Sequence, residues 1–328
     1  MDAHRIAAEA SRLLPLARQV LERYPFEVRE LDHLATHSNV MYRVVTNDGR
    51  QLVLRVGDPF GNSRANIEYE VAWLAALNRE TDLDVVNPIS TGYGALIVDA
   101  REPESNLTRP CVLFSWVPGV PLAAGSGAFG YRLLGSMCAS LQLHGKSWQS
   151  PNPDGMRRWD RIFYYDQGLD PVIIYDSRFD HVFSPGRRTI IEKAGQAATN
   201  VINASWEAGV PQVVHGDLHE WNVHAVRSRL YAFDFEDVMI ALPSQDVSVC
   251  LYSSRTNNRA SEIQAAFRKG FEEIATWPIE SEEQLDGFFA ARQIMLMNYA
   301  ARTLPMGETE QYLAQVMPWL ARYAARYG

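Results

Sequence analysis

The sequence predicts an α+β fold in two parts: a small N-terminal lobe built on an antiparallel sheet, then a larger, mainly helical C-terminal lobe. Three observations carry that expectation. Short alternating runs flank Asn47-Asp48-Gly49, which is a hairpin signal. Beyond Pro121 the pattern changes to long stretches of helical period. At 328 residues, 47% of them hydrophobic and 21% charged, the chain can fill two domains or one unusually large one.

Taken in order, residues 3 to 23 set Ile6, Leu13, Leu14, Ala17, Val20 and Leu21 on one helical stripe, which Pro25 ends. The runs "FEVRELDHLA", "NVMYRVVT" and "QLVLRV" follow and predict strands. From Arg64 to Asn78 the helical period returns, with Ile67, Val71, Leu74 and Leu77 on one stripe. Glu70 falls on that stripe, where an unpaired carboxylate is costly. Strand-like runs recur at 94–98 and 110–117. Helices are expected at 128–146, 187–207, 259–275, 281–303 and 308–326, with strand-like "LYAFDF" between them. The expected division is an N-lobe at 1–114, a hinge at 115–121 and a C-lobe at 122–328.

Composition narrows the function. A net charge of -8 argues against general nucleic-acid binding, which needs a basic stripe. Cys111, Cys138 and Cys250 are widely spaced and odd in number, so they form neither a zinc spacing nor a disulfide framework. The charged start, with Asp2, His4, Arg5 and Glu9, lacks the apolar centre of a signal peptide. The uncharged stretch from Cys111 to Tyr131 is broken by Pro118, Pro121 and several glycines, so a membrane helix is not expected there. A cytoplasmic protein, monomer or homodimer, with no nucleic-acid or membrane partner, is the expectation.

The chemistry concentrates in "VVHGDLHEWNVHAVRSRLYAFDFEDV", Val213 to Val238, where acidic residues and histidines alternate with apolar runs. Burying such groups is costly unless they are paired or hold a cation. His215, Asp217 and Asn222 fit H-x-D-x-x-x-x-N, and Asp234, followed by Phe235, comes twelve residues after Asn222. A kinase catalytic loop places an aspartate base and a magnesium-binding asparagine at that spacing, with a second aspartate in D-F-G. Glu236 stands where protein kinases have glycine. Asn222 and Asp234 offer the oxygen ligands that Mg²⁺ takes, and Asp217 can accept the proton of an incoming hydroxyl.

The stretch resembles the aminoglycoside phosphotransferase and choline kinase superfamily, whose pattern runs HGDxxxxN, then an aspartate in iDFxD, then a further aspartate. Those segments read here "HGDLHEWN", "AFDFED" and "LPSQDVSVCLY", which puts Asp246 where the family braces its catalytic loop. The resemblance implies a eukaryotic-protein-kinase-like two-lobed fold and phosphoryl transfer from ATP with Mg²⁺. It also implies catalytic roles for Asp217, Asn222 and Asp234. "QLVLRVGDP" is similar to the family's third strand, with Arg55 in place of the usual lysine and Glu70, or else Glu68, as its partner. No G-x-G-x-x-G occurs. The family's phosphate loop falls instead at "THSNVMYRV", where backbone amides around Ser38 and Asn39 would cover the nucleotide. "CVLFSWVPGVPL" resembles the hinge, so the backbone of Phe114, Ser115, Trp116 and Val117 would hold adenine.

For the acceptor, the segment "RRWDRIFYYDQGLDPVIIYDSRFDHVF" offers aromatics together with Asp160, Asp166, Asp170, Asp176 and Asp180. These suit a cationic amine through ion pairing and cation–π contact, or else form a charged surface. In layout the chain is similar to homoserine kinase type II and stress response kinase A proteins. A small amino-alcohol or homoserine-like metabolite, an aminoglycoside and a protein Ser/Thr hydroxyl therefore all stand as acceptors. A nucleotide-binding pseudokinase without turnover is the alternative from another class.

Overall fold

The computed structural model describes residues 3–102, 105–125, 127–150, 155–165 and 168–328. The chain forms two compact units. The first comprises Met1–Val120, Ser150–Gly155 and Tyr231–Glu236; the second comprises Pro121–Gln149, Met156–Leu230 and Asp237–Gly328.

The first unit opens with helix α1 (Ala3–Leu21), followed by strands β1 (Val28–Thr36), β2 (Val40–Thr46) and β3 (Gln51–Val56). Helix α2 (Arg64–Glu80) comes next, then β4 (Pro88–Ile89), β5 (Ile97–Arg101) and β6 (Thr108–Ser115). The strands make one antiparallel sheet in the order β1-β2-β3-β6-β4, with β5 also paired to β6. Leu13, Leu16, Ala17 and Val20 of α1 pack against Tyr42, Val44, Leu52, Leu54 and Val56. The Tyr42 hydroxyl donates to the Ala10 carbonyl at 2.5 Å, tying helix to sheet. The alternation of β3 sends Leu52, Leu54 and Val56 to this core and Arg55 to the opposite face. Ser63 caps α2 by accepting from Asn66 N.

The second unit is mainly helical. Its elements are β7 (Val120–Pro121, at the junction), α3 (Gly127–Ser147), α4 (Pro185–Ala208), β8 (Gln212–Val214), β9 (Val223–Val226), β10 (Arg229–Ala232, which passes into the first unit at Tyr231) and β11 (Met239–Ala241). They continue with α5 (Pro243–Leu251), a 3₁₀ turn at Tyr252–Thr256, α6 (Ala260–Glu272), α7 (Glu282–Thr303) and α8 (Met306–Tyr327). Residues Ile191, Ala198 and Ile202 of α4, Phe288 and Ile294 of α7, and Leu313 and Leu320 of α8 form its main core. Strands β8 and β11 pair antiparallel, Val214 opposite Met239. Among the described residues, no helix is long and apolar enough to cross a membrane.

Two expectations need correction. The run "LYAFDF" is strand only to Ala232, because Asp234 has φ 63, a left-handed conformation that no strand accommodates. The strand expected at 94–98 starts at Ile97, after a turn with Gly94 at φ 84. Helix α5 was not anticipated because Ser244 to Leu251 are all buried, so its sequence carries no polar face to mark a period.

Candidate active site

The loop after β8 carries the first group of predicted residues. Val213 and Val214 are buried, which fixes the strand, and Leu218 is fully buried, which pins the loop from its far side. Gly216 turns the chain with φ 81, and a Cβ there would meet the Asp237 carbonyl oxygen at 2.2 Å. Only glycine fits that turn. Gly216 N donates to Asp246 Oδ1 at 3.0 Å, and Gln142 Nε2 donates to Asp246 Oδ2 at 3.3 Å, so Asp246 on α5 holds the turn from below.

The turn presents Asp217, whose side chain is 22% exposed. Arg292 Nη2 on α7 donates to its Oδ1 at 2.5 Å. His219 Nε2 lies 3.3 Å from Oδ2, and Asn222 Nδ2 donates both to Oδ2 and to the Asp217 carbonyl at 3.0 Å. Burial works to raise the Asp217 pKa, but the Arg292 and His219 charges win and hold it well below the usual carboxylate range. The carboxylate is therefore ionised at neutral pH. The two bonds from Asn222 consume its amide nitrogen and leave Oδ1 as the atom with lone pairs to offer.

Asp234 belongs to the first unit. Ala232 N donates to the Asp84 carbonyl and Val86 N to the Ala232 carbonyl, both at 2.9 Å, which pins the incoming chain. Phe235, fully buried, packs edge-on against Trp73 of α2 at 5.6 Å. Between these two fixed points Asp234 keeps its left-handed backbone, a strained state that persists only where the surroundings over-determine it.

Arg55 lies on β3, an interior strand between β2 and β6, and is 4% exposed. Its Nη1 and Nη2 donate to the two oxygens of Glu70 at 2.8 and 2.5 Å, and Nη1 lies 3.1 Å from Glu236 Oε1. Burial alone would depress the guanidinium, but Glu70, Glu236 and Asp234 raise its pKa above the ordinary arginine value. Glu68, the other candidate partner, is exposed and pairs with Arg64. Glu236 accepts from Asn39 Nδ2 at 2.6 Å and from Asn62 Nδ2 at 3.3 Å, so the residue in the protein-kinase glycine position ties a strand, a loop and the Asp234 segment together.

The nucleotide-side expectations fall out unevenly. Ser38 is exposed at the β1–β2 turn, while the Asn39 side chain is committed to Glu236 and to Asp58 N. Phe114 lies on β6 with the Arg55 guanidinium 5.1 Å from its ring centre. Ser115 N already donates to Asn87 O and Trp116 N to Gln51 O, which takes those two amides from adenine. Pro118 has no N–H, and of Ser115, Trp116 and Val117 in this expected hinge only the Val117 amide is not engaged with backbone among the described residues. The acids of the 157–183 segment are paired: Asp160 with Arg161, Asp170 with Arg302, Asp176 with Arg178 and Asp180 with Arg188. Asp166 lies outside the described residues. The remaining four thus do not wait for a cationic ligand. Sequence reasoning missed Arg292, His219 and the pairing of Glu236; only Glu236 left a signal, as a departure from D-F-G.

Asp246 gives a pH-dependent prediction. Burial pushes its carboxyl up from 3.8 to about 6, against bonds from Gly216, Gln142 and Cys138. The folded state thus keeps a proton that the unfolded chain releases. That contribution is full below pH 3.8 and is lost as pH rises through about 6, amounting to about 3 kcal/mol. Asp246→Asn should flatten this slope. Urea midpoints between pH 4 and 7 that fall in parallel for both proteins would rule the assignment out.

The residues that could hold a metal suit a hard cation. Among the described residues, no cluster of three or more His, Cys, Asp or Glu is built to hold a metal alone. Mg²⁺ asks for less: one or two protein oxygens plus substrate phosphates. Asn222 Oδ1 in the second unit and the Asp234 carboxylate in the first are each an oxygen donor of the kind Mg²⁺ takes.

Comparison with known proteins gives this arrangement a setting. An uncharacterised protein of Synechocystis sp. is 24% identical over 258 residues, 78% of this chain and 69% of that one. A microcompartment-associated aminopropanol kinase superposes with TM-score 0.77 at 21% identity, over 96% of this chain and 97% of its own. An amicoumacin kinase in complex with AMP-PNP, Ca²⁺ and its ligand gives 0.75 at 16% identity, over 98% and 96%. A spectinomycin phosphotransferase in complex with ADP and spectinomycin gives 0.67 at 14%, over 95% and 97%. The fold is thus the α+β, kinase-like one of those enzymes. The model of the phosphotransferase enzyme family matches residues 34–283, and the chain belongs to that family as a phosphotransferase enzyme.

Proposed function

We propose that the protein transfers the γ-phosphate of ATP to a hydroxyl of a small metabolite, with Asp217 as the residue that receives and orients that hydroxyl. The observation that carries the reading is on one loop. A partly exposed, ionised carboxylate stands beside an asparagine whose nitrogen is consumed and whose oxygen is not. Phosphoryl transfer passes through a loose transition state, so the acceptor needs positioning more than a strong base. The depressed pKa of Asp217 is compatible with that demand. Arg292, His219 and Asn222 together restrict its carboxylate to one orientation.

Asn222 and Asp234 would each offer an oxygen to a divalent ion, whose charge would offset that of the nucleotide phosphates. Arg55, drawn into Glu70 and Glu236, orders the sheet face beneath the phosphates; its planar fork satisfies both carboxylates where an ammonium would not. The Val117 amide is the adenine donor in this reading, and backbone amides at Ser38 and Asn39 cover the phosphates. That amicoumacin, aminopropanol and spectinomycin are small molecules supports a metabolite acceptor over a protein one.

The test is ADP release from ATP and Mg²⁺ across amino-alcohols, hydroxy acids, sugars, aminoglycosides and a generic protein acceptor. In parallel, Asp234→Ala should weaken the Mg²⁺-dependent part of nucleotide binding by roughly tenfold or more, as loss of a charged ligand does. Nucleotide binding without ADP release from any acceptor would favour a pseudokinase. A Mg²⁺ response unchanged in Asp234→Ala would remove that residue from the metal site.

A further inference from the structure

The surroundings of Asp217 contain more positive charge than the carboxylate can balance. Arg292 has 8% of its side chain exposed, and among the described residues its only protein acceptor is Asp217 Oδ1. Its Nε is buried without a hydrogen-bond partner. A guanidinium carries five N–H donors, so most of this one is unspent. Arg255, on the 3₁₀ turn at Tyr252–Thr256, adds a second cation. Its guanidinium carbon lies 3.6 Å from the centre of the Tyr252 ring, and that of Arg292 lies 5.5 Å from the same centre.

Arg255 donates to the Tyr252 carbonyl at 2.8 Å, to the Tyr252 hydroxyl at 2.9 Å and to Gln293 Oε1. Every one of those acceptors is neutral, and its Nε is also buried without a partner. No carboxylate pairs with Arg255 among the described residues. Burial and the nearby Arg292 charge lower its pKa, as an uncompensated cation requires, against the opposing influence of Tyr252 and Tyr312. The other groups facing this region are Tyr164, Tyr252 and Tyr312, together with His219. Of the other carboxylates here, Asp237 is engaged by Arg157 and Tyr165, and Glu220 accepts from Ser253 and Tyr131. Two guanidiniums thus flank the Tyr252 ring, and of the two only Arg292 has a carboxylate partner among the described residues.

An unpaired buried cation is costly, and a ligand anion offsets it. We propose that Arg292, backed by Arg255, recognises an anionic group on the phosphate acceptor, so that the substrate is a small alcohol bearing a carboxylate or a phosphate. This rests on the phosphotransferase reading above. The planar fork of Arg292 suits either group, since both accept two parallel N–H bonds. Because the same guanidinium touches Asp217, an anion bound to its remaining donors sets a hydroxyl on a neighbouring carbon beside the base. Arg292 is thus an acceptor-binding residue, and Arg255 a positioning residue acting through the Tyr252 ring and Gln293.

The experiment compares alcohols matched in size and different in charge: aminopropanol, propanediol, lactate and glycerol phosphate. ADP release is measured with ATP and Mg²⁺, and direct binding by calorimetry with a non-hydrolysable ATP analogue. The expected result is a preference for the anionic members by roughly tenfold to a hundredfold in kcat/KM and in affinity, the scale of a charge-assisted hydrogen bond. Lactate against glycerol phosphate separates carboxylate from phosphate. Arg255→Gln and the charge-preserving Arg292→Lys should each cut the ratio of kcat/KM for the anion to kcat/KM for propanediol by about tenfold, and Arg292→Lys should lower the absolute rate with both acceptors as well, because it also holds Asp217. Preference for aminopropanol or propanediol, or no anion binding by the wild-type protein, overturns the inference while leaving the kinase reading intact. Absence of Mg²⁺-dependent ATP binding would instead sink the phosphotransferase reading itself.

Discussion

Asp217→Asn is expected to lower kcat by roughly 10²- to 10⁴-fold, the range for removal of a positioned general base. The change removes the charge that Arg292 meets at 2.5 Å and weakens the geometry that Asn222 and His219 share with it. Nucleotide affinity should stay near wild type, because among the described residues this side chain pairs with Arg292, His219 and Asn222 and with no residue of the N-terminal sheet. Stability should fall as well, since Arg292 is left as a buried, unpaired cation. Single-turnover measurements with saturating ATP separate the two effects. A rate within a few-fold of wild type in a folded variant would remove Asp217 from the role of base.

Arg55→Met is the second large effect, and it is on stability. The guanidinium has 5% of its side chain exposed and meets Glu70, 3% exposed, through two parallel bonds, with Glu236 as a third contact. Its removal takes the two guanidinium bonds from a buried carboxylate, at a loss of about 3–5 kcal/mol. Replacing Glu70 with Leu in the same protein should recover part of that loss, because the desolvation penalty disappears with the charge. Arg55→Lys should fall between, since an ammonium cannot offer the same fork to Glu70. Urea unfolding of the three variants is the measurement; a loss below about 1 kcal/mol for Arg55→Met would mean that the pair behaves as a solvated one.

The elements legible in the sequence were those with a clear period. Helices α1, α2, α3, α4, α6, α7 and α8 and strands β1 to β3 lie close to where alternation and stripes put them. Helix α5 and strands β8, β9 and β11 were not legible, because segments that are short or buried all round show no contrast between faces. Asp217, Asn222 and Asp234 could be singled out as candidates because kinase chemistry fixes their spacing along the chain. Glu70 was legible from a different cue, a carboxylate on an apolar stripe. Arg292 and Arg255 could not be found in this way. Arg292 reaches Asp217, and Arg255 reaches Gln293, across tertiary distance, and nothing in the local sequence of either element marks the contact. The hinge shows the converse: its sequence marks Phe114 to Val117 alike, and only the cross-strand bonds reveal that two of the amides are spent.

The reach of α1 has a practical side. The family match covers residues 34–283, whereas α1 closes one face of the sheet from Ala3–Leu21, and α7 and α8 extend from Glu282 to Tyr327. Expressing only the matched span would strip the first unit of Leu13, Leu16, Ala17 and Val20, and the second of Phe288, Ile294, Leu313 and Leu320. Two wide apolar surfaces would then face water, inviting aggregation. The excised piece would also lack Arg292, so even a soluble remnant would carry Asp217 deprived of its counter-charge.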